Sequence, residues 1–318
     1  MLMFFSSKIP NFDYMKKNVL ISGGSGFVGR HLTDLLIDNG FAVSILSRTE
    51  KQNTADISFY RWDVLHNYID DEAILKADYI IHLAGENIAE KKWTAKRKLE
   101  IVNSRELSTK LIYSVLKKHN KKLDAFISAS ATGIYGAFNS EEICTEKTTP
   151  ANDFLGLTCQ KWEHSLDFIE NLNIRTVKIR TGLVLGENDG ILKKLGPLFK
   201  AGFGSSLGSG KQYMPWIHID DLSKIYLEAV LNPKMSGAYN AAVNDNTTNS
   251  VFSKILAKIY GYSIWLPNVP AFLLKLIIGE MSKIILTGQR VSSKKIEKLG
   301  FEFQFTNLEL ALRDCLKK

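Results

Sequence analysis

The sequence predicts an α/β protein built on a doubly wound parallel sheet, with a smaller C-terminal lobe. Short apolar, β-branched runs alternate with longer helical patterns from residue 18 to residue 180. A glycine-rich turn joins the first run to the first helical pattern, and the rhythm changes after about residue 185. Alternation of this kind places parallel strands in the middle and helices on both faces.

The strand candidates are 18–22, 42–47, 57–62, 79–84, 124–130 and 176–180. Several carry apolar residues on both faces, as strands covered on both sides should. Between them lie helical patterns at about 27–39, 70–76, 94–119 and 153–171. Later come a helix-like ILKKLGPLFKAG, a Gly/Ser-rich loop GFGSSLGSGK, a strand-like PWIHI, a helix at 219–231, two further helices at 248–260 and 270–286, and a mixed tail. Asp220 or Asp221 is expected to cap the helix after PWIHI.

Composition narrows the function classes. In 318 residues there are 41 Lys+Arg against 33 Asp+Glu, a formal charge of +8, with 45% hydrophobic residues. That excludes a disordered chain and a collagen. Residues 91–122 hold eleven Lys/Arg against Glu100 and Glu106, and residues 255–318 hold ten against five acids. The first stretch reads as one helix with a solvated basic face, because no nucleic-acid module accompanies it. Cys144, Cys159 and Cys315 are far apart and odd in number, which argues for a reducing cytoplasm and against a disulfide or zinc framework. The histidines show no metal-ligand spacing, so no metal is expected. The apolar stretch 271–286 is interrupted by Lys275, Gly279, Glu280 and Lys283 and is not expected to span a bilayer.

The chemistry begins at ISGGSGFVGRHL, where Gly23, Gly26 and Gly29 form G-x-x-G-x-x-G between a strand and a helix. Gly23 permits the tight turn, Gly26 lets backbone N–H groups approach a pyrophosphate, and Gly29 lets the helix pack closely on the sheet. The pyrophosphate would sit at the helix start, on Phe27 and Val28. The pattern predicts a Rossmann dinucleotide site. The second strand ends ILSRTEK, with Arg48 where an NAD enzyme carries an acid, flanked by Ser47. An arginine suits a 2′-phosphate, so NADP(H) is expected ahead of NAD(H). Asp63 is a candidate for the adenine edge, with a turn cap as the alternative.

These motifs resemble the extended, atypical short-chain dehydrogenase/reductases, the NAD(P)-dependent epimerase/dehydratase superfamily, in its SDR39U1-like epimerase branch. The resemblance runs over about 16–314, through HLAGENIAEKKW, KRKLEIVNSR, ISASATGIYG, IRTGLVLG, LGSGKQYMPWIHIDDL, LTGQRV and LGFEF. It implies a Rossmann domain from 16–185 and 214–243 and a substrate-binding lobe from 186–213 and 244–318; Met15-Lys16-Lys17 reads as a second start, which leaves residues 1–15 as an expected N-terminal extension. It implies that Leu83, Ala84 and Gly85 pass beneath the adenosine, that Thr181, Gly182 and Leu183 line the nicotinamide, and that Arg105 has a cofactor-side or structural polar role.

The superfamily places a Ser after its fifth strand and a Tyr-x-x-x-Lys on the next helix, the Tyr acting as acid/base. Ser130 fits the Ser, and Ser128 is expected on the other face of its strand. Aligning Glu163 with the superfamily's glutamate puts Leu155 at the Tyr position and Cys159 at the Lys position; Lys161 is two residues late. Leucine transfers no proton, and a thiol of pKa about 8.5 is no permanent cation. Tyr135 is left as the nearest substitute acid, with a packing or loop role as the alternative.

Beyond the sheet, Gln212, Trp216, Gln289 and Arg290 are candidates to line a substrate cleft, with Gln289 and Arg290 alternatively tying the two lobes together. GSGK at 208–211 is no P-loop, since Ser205 and Gln212 break the pattern. The expected partner is a small-molecule substrate, with neither nucleic acid nor membrane; a homodimer is compatible with the chain. The functional expectation is an NADP(H)-dependent oxidoreductase or epimerase acting on a carbonyl, hydroxyl or nucleotide-sugar-like compound. The alternatives are a cofactor-binding regulator linked to cell division, whose division-inhibitor-like relatives resemble this branch, and a degenerate scaffold.

Overall fold

The computed structural model describes residues 16–187 and 189–317, so the expected extension at 1–15 lies outside the described residues. In chain order the first half holds β1 (Asn18–Ser22), α1 (Phe27–Asp38), β2 (Ala42–Ser47), β3 (Ile57–Asp63), β4 (Tyr68–Ile69), α2 (Asp71–Leu75), β5 (Tyr79–His82), α3 (Ala95–Lys118), β6 (Ala125–Ala131), β7 (Asn139–Cys144), α4 (Phe154–His164) and α5 (Asp167–Glu170). The second half holds β8 (Thr176–Thr181), β9 (Leu183–Leu185), α6 (Gly190–Lys200), β10 (Trp216–His218), α7 (Ile219–Leu231), β11 (Gly237–Ala241), α8 (Asn249–Ile259), α9 (Ala271–Ile278), α10 (Lys283–Leu286), β12 (Gly288–Val291), α11 (Lys294–Glu297) and α12 (Leu308–Cys315).

The main sheet has eight strands in the order β11-β8-β6-β5-β1-β2-β3-β4. All neighbours are parallel except β3 and β4. Strand order reverses at β1, with β2 on one side and β5 on the other, and a crevice opens beyond the carboxyl ends at such a point. Register brings Ser22 level with Leu46 and His82, His82 level with Ser128, and Ser130 level with Arg180. The period of two then sorts side chains to faces. Val19, Ile21, Val43, Ile45, Ile81, Ile127, Val177 and Ile179 pack under α1 and α7. Leu20, Leu46, Ile80 and Phe126 pack under α2, α3 and α5. A third core, with Trp216, Phe199, Phe252, Leu256 and Leu312, fills the space between α6, α8 and α12.

Several elements depart from the expectation. The helix at 153–171 divides into α4 and α5 where Leu166 N–H turns back to Glu163 O, a tighter i−3 bond. The helix at 270–286 divides at Gly279, whose φ of 63° ends α9. The fourth strand stops at His82 rather than residue 84. β7, β9, β11 and β12 were not expected, being short or polar. PWIHI does not enter the main sheet; β10 pairs with β9 alone. β12 pairs in parallel with β7, Gly288 level with Asn139 across nearly half the chain. The basic helix α3 keeps its lysines outside, but Arg97 is only 5% exposed.

Candidate functional site

The turn after β1 has the shape the glycines require. Gly23 adopts φ +75°, and a Cβ there would stand 3.0 Å from the Ala84 nitrogen. A Cβ on Gly29 would stand 2.4 Å from the Gly23 carbonyl oxygen. Only glycine allows the helix to start so close to the strand. The N-terminus of α1 has no side-chain cap and no acid in its first turn. By contrast, α3 is capped by Thr94, α4 by Asp153 and α8 by Thr248. The first N–H groups of α1, from Phe27, Val28 and Gly29, thus face the crevice with the positive end of the helix dipole behind them. These residues fit a dinucleotide pyrophosphate. The Phe27 ring itself lies against Gly186, and Val28 packs into the core.

One strand over, the glycine turn rests on β2, since a Cβ on Gly24 would meet Ile45 at 2.9 Å. Ser47 is half-buried and its Oγ accepts from Thr49 N–H at 3.4 Å. Arg48 is exposed, and no hydrogen bond or ion pair engages it among the described residues. Asp63 takes the turn-cap role named as its alternative: its carboxylate accepts from Leu65 N–H and His66 N–H and bonds the His66 ring at 2.7 Å. The His66 ring holds its pKa below the usual carboxylate value. Leu83 and Ala84 are half-buried beside the glycine turn, their N–H groups reaching Ser22, while Gly85 is exposed. Thr181, Gly182 and Leu183 sit where the chain leaves the main sheet; Gly182 N–H reaches Ala241 O and Leu183 N–H reaches Pro215 O.

Beneath the crevice lies a relay that sequence reading missed. Ala84 N–H donates to Ser22 Oγ, whose hydroxyl lies 2.5 Å from His82 Nδ1; His82 Nε2 lies 2.9 Å from Ser108 Oγ, which donates to Arg105 O. Partner accounting assigns the tautomer: Nδ1 accepts and Nε2–H donates. Burial lowers the His82 pKa to about 3, so the ring is neutral. The relay ties β1, β5 and α3 together under the cofactor side.

A second network occupies the carboxyl ends of β6 and β8. Ser130 Oγ–H donates to Glu163 Oε1 at 2.7 Å. Arg180 meets the same carboxylate through Nε at 2.9 Å and Nη2 at 2.8 Å. Its Nη1 lies 3.2 Å from Tyr135 Oη, which donates to Asn240 Oδ1 at 2.6 Å. Ser130, Glu163, Arg180, Tyr135 and Asn240 are each under a tenth exposed. Tyr135 therefore fits its packing alternative better than the acid role: it is 1% exposed, its hydroxyl is engaged, and burial pushes its pKa up to about 12. It is not poised to transfer a proton near neutrality. Ser128 and Ser130 share a face of β6, as a period of two dictates, so the expectation for Ser128 was wrong.

On α4, Cys159 is buried against Gly133 and its thiol is pushed up to about 12 by burial. Lys161 is exposed on another face of the helix and does not replace a lysine at 159.

The proposed cleft residues are structural brackets. Gln212, 2% exposed, donates to Leu207 O and Ile285 O. Trp216 is fully buried and donates to Asp245. Gln289 donates to Gly136 O. Each is a buried polar group that found its partner inside the chain, which removes it from a cleft wall. Arg290 reaches Asn246 and Glu141 O. Neither Asp220 nor Asp221 caps α7: His218 does, through Nδ1 to Asp220 N–H. Asp221 instead accepts from Gln304 and Phe305 N–H. His218, Asp220 and Asp314 converge in space, a grouping that linear spacing did not show. Arg97 was also missed: it holds the loop after β5 through Glu86 and Asn87 O. The only sequence signal was an arginine inside a lysine run. Among the described residues, no helix is long and apolar enough to cross a membrane.

Residues 19–242 match the NAD dependent epimerase/dehydratase family, and residues 269–315 match a domain of unknown function, DUF1731. The chain is 34% identical over 300 residues to the epimerase family protein YfhF of Bacillus subtilis, covering 94% of this chain and 98% of that one. Its fold is similar to that of human epimerase family protein SDR39U1, solved with NADPH, at a TM-score of 0.83 and 27% identity over 95% of this chain and 99% of that one. It is also similar to a nucleoside-diphosphate sugar epimerase of Corynebacterium glutamicum, at a TM-score of 0.77 and 31% identity over 95% of this chain and 58% of that one. Sequence match, fold and glycine turn agree, and the chain belongs to the NAD dependent epimerase/dehydratase family.

Proposed function

We propose that this protein is an NADP(H)-binding oxidoreductase or epimerase of its family, acting in the cytoplasm on a small carbonyl, hydroxyl or nucleotide-sugar-like substrate. The observation that carries the reading is the uncapped α1 N-terminus beside an unpartnered Arg48. The helix start would hold the pyrophosphate, and Arg48 would meet a 2′-phosphate beyond the end of β2. The bound dinucleotide would supply hydride chemistry at the nicotinamide.

The chain's own contribution at the reacting end is orientation. Ser130 gives its proton to Glu163, so only its lone pairs remain for a ligand. It would accept from a hydroxyl or amide donor and would not polarise a carbonyl. The substrate would lie between the sheet and the lobe formed by 186–213 and 244–318, with 16–185 and 214–243 carrying the cofactor. A homodimer is compatible with this arrangement.

One observation favours a second reading. Tyr135 and Cys159 are both buried and neutral at pH 7, and Lys161 faces away. A cofactor-binding regulator without turnover would need no acid/base pair. Titration with NADPH and NADH separates the parts of the proposal. The wild type is expected to prefer NADPH, and Arg48→Ala is expected to lose about tenfold in NADPH affinity, ~1.4 kcal/mol, with NADH little changed. Equal wild-type affinities would remove the NADP assignment. Cofactor oxidation with a carbonyl panel supports the enzyme, and tight binding with no turnover supports the regulator.

A further inference from the structure

Arg105 on α3 is a cation without a counter-ion. Its Nη1 donates to Ile101 O at 2.9 Å and lies 3.4 Å from Ser104 Oγ. No ion pair reaches it, and neither Nε nor Nη2 has a hydrogen-bond partner among the described residues. Those two nitrogens are not sealed in the core either. The buried unpartnered side-chain atoms among the described residues are Arg97 Nε, Trp162 Nε1, His218 Nε2 and Ser223 Oγ. Arg105 thus keeps two N–H groups without a protein partner on a half-buried side chain. Burial lowers its pKa from the ordinary value, but a guanidinium keeps its charge in a protein.

Its position is fixed from both sides. The Cζ atom lies 4.7 Å from the Trp162 ring centroid on α4. A Cβ on Gly85 would stand 3.1 Å from the same Cζ, so a glycine just beyond β5 leaves the guanidinium its place. Gly85 adjoins the glycine turn, since Gly23 packs on Leu83 and Ala84. Arg48 lies on the β2 side of β1, whereas Gly85, Trp162 and Arg105 lie on the β5–β6 side. A dinucleotide centred on the α1 N-terminus, with its adenosine towards Arg48, would cross Leu83 and Ala84 first and bring its other half to Gly85, so that Gly85 would lie under the nicotinamide half and not under the adenosine as first expected.

We propose that Arg105 holds the vicinal hydroxyls of the nicotinamide-side ribose through Nε and Nη2. This rests on the dinucleotide reading above. The Nε–Nη2 edge of a guanidinium presents two near-parallel N–H groups, which suit two neighbouring oxygens better than a point charge does. Stacking on Trp162 keeps the plane oriented before the ligand arrives. The cation therefore comes from α3, while α4 contributes only the neutral Cys159 and the supporting ring.

Isothermal titration of the full chain with NADPH, NADH and adenosine 5′-diphosphate tests this, the last probe carrying adenosine and pyrophosphate but no second ribose. Arg105→Ala is expected to weaken the preferred dinucleotide about tenfold or more and to leave adenosine diphosphate within about twofold. Arg105→Lys, which keeps the charge and loses the fork, is expected to fall between and guards against a folding defect in the alanine variant. Unchanged dinucleotide affinity in Arg105→Ala overturns the proposal, and so does an equal loss for both kinds of ligand in the two variants. A wild type that binds neither dinucleotide would overturn the cofactor reading itself, which the wild-type titration shows before any variant is made.

Discussion

The guanidinium of Arg180 on β8 grips the carboxylate of Glu163 on α4 side-on, Nε 2.9 Å from Oε1 and Nη2 2.8 Å from Oε2. Their side chains are 8% and 10% exposed. The pair joins a strand to a helix and holds the proton of Ser130 at the carboxyl end of the sheet. Burial alone would lower the Arg180 pKa, but the Glu163 hydrogen bonds and charge raise it overall.

Breaking that pair strands a buried charge. Arg180→Ala is expected to lower the unfolding free energy by about 3–5 kcal/mol, measured by urea denaturation. Arg180→Ala combined with Glu163→Ala should lose less than the two single changes added together, because neither charge is then left alone. A loss below about 1 kcal/mol in the single variant would show the carboxylate to be solvated instead.

His82 makes stability depend on pH in a defined direction. Its folded pKa, about 3, lies below the ordinary 6.5, so the unfolded chain binds the extra proton between these values. The stability contributed by the neutral ring is complete above about pH 6.5 and is lost as pH falls towards 3. Near pH 5 the slope from this one group approaches 1.4 kcal/mol per pH unit, as an order of magnitude. Denaturation from pH 4.5 to pH 7 should show a shallower slope for His82→Gln than for the wild type. Identical slopes would mean that His82 titrates normally.

Tyr135→Phe separates structure from chemistry. The change removes the bond to Asn240 and should cost about 1–2 kcal/mol of stability. In any assay that shows turnover, the rate and its pH profile should stay as in the wild type, because the phenol is buried and its pKa stands at about 12. A rate loss of more than about tenfold in a folded variant, ~1.4 kcal/mol in barrier, would restore Tyr135 as an acid.

How far the sequence carried differs between parts of the site. The glycine turn was legible because three glycines at fixed spacing answer local steric needs, and the structure shows those needs as contacts of 2.4 to 3.2 Å for an added Cβ. The missing lysine at 159 was legible for the same reason, since helical spacing is local. Gln212, Trp216 and Gln289 looked like cleft residues because polar and amphipathic side chains in loops usually face ligand or solvent. Leu207 O is local to Gln212, but the other acceptors, Ile285 O, Asp245 and Gly136 O, come from other segments of the chain.

The sequence by itself determined the alternating α/β architecture, the dinucleotide turn and the lack of a Tyr-x-x-x-Lys pattern on α4. Each depends on residues within one strand, one turn or one helix. Tertiary structure alone decided which polar groups are available. It placed β12 beside β7, folded the His82 relay between β1, β5 and α3, engaged Tyr135 with Asn240, and left Arg48 and Arg105 open. The physical reason is that a buried donor or acceptor must find a partner, and here the partners lie tens to more than a hundred residues away, where no local pattern can specify them.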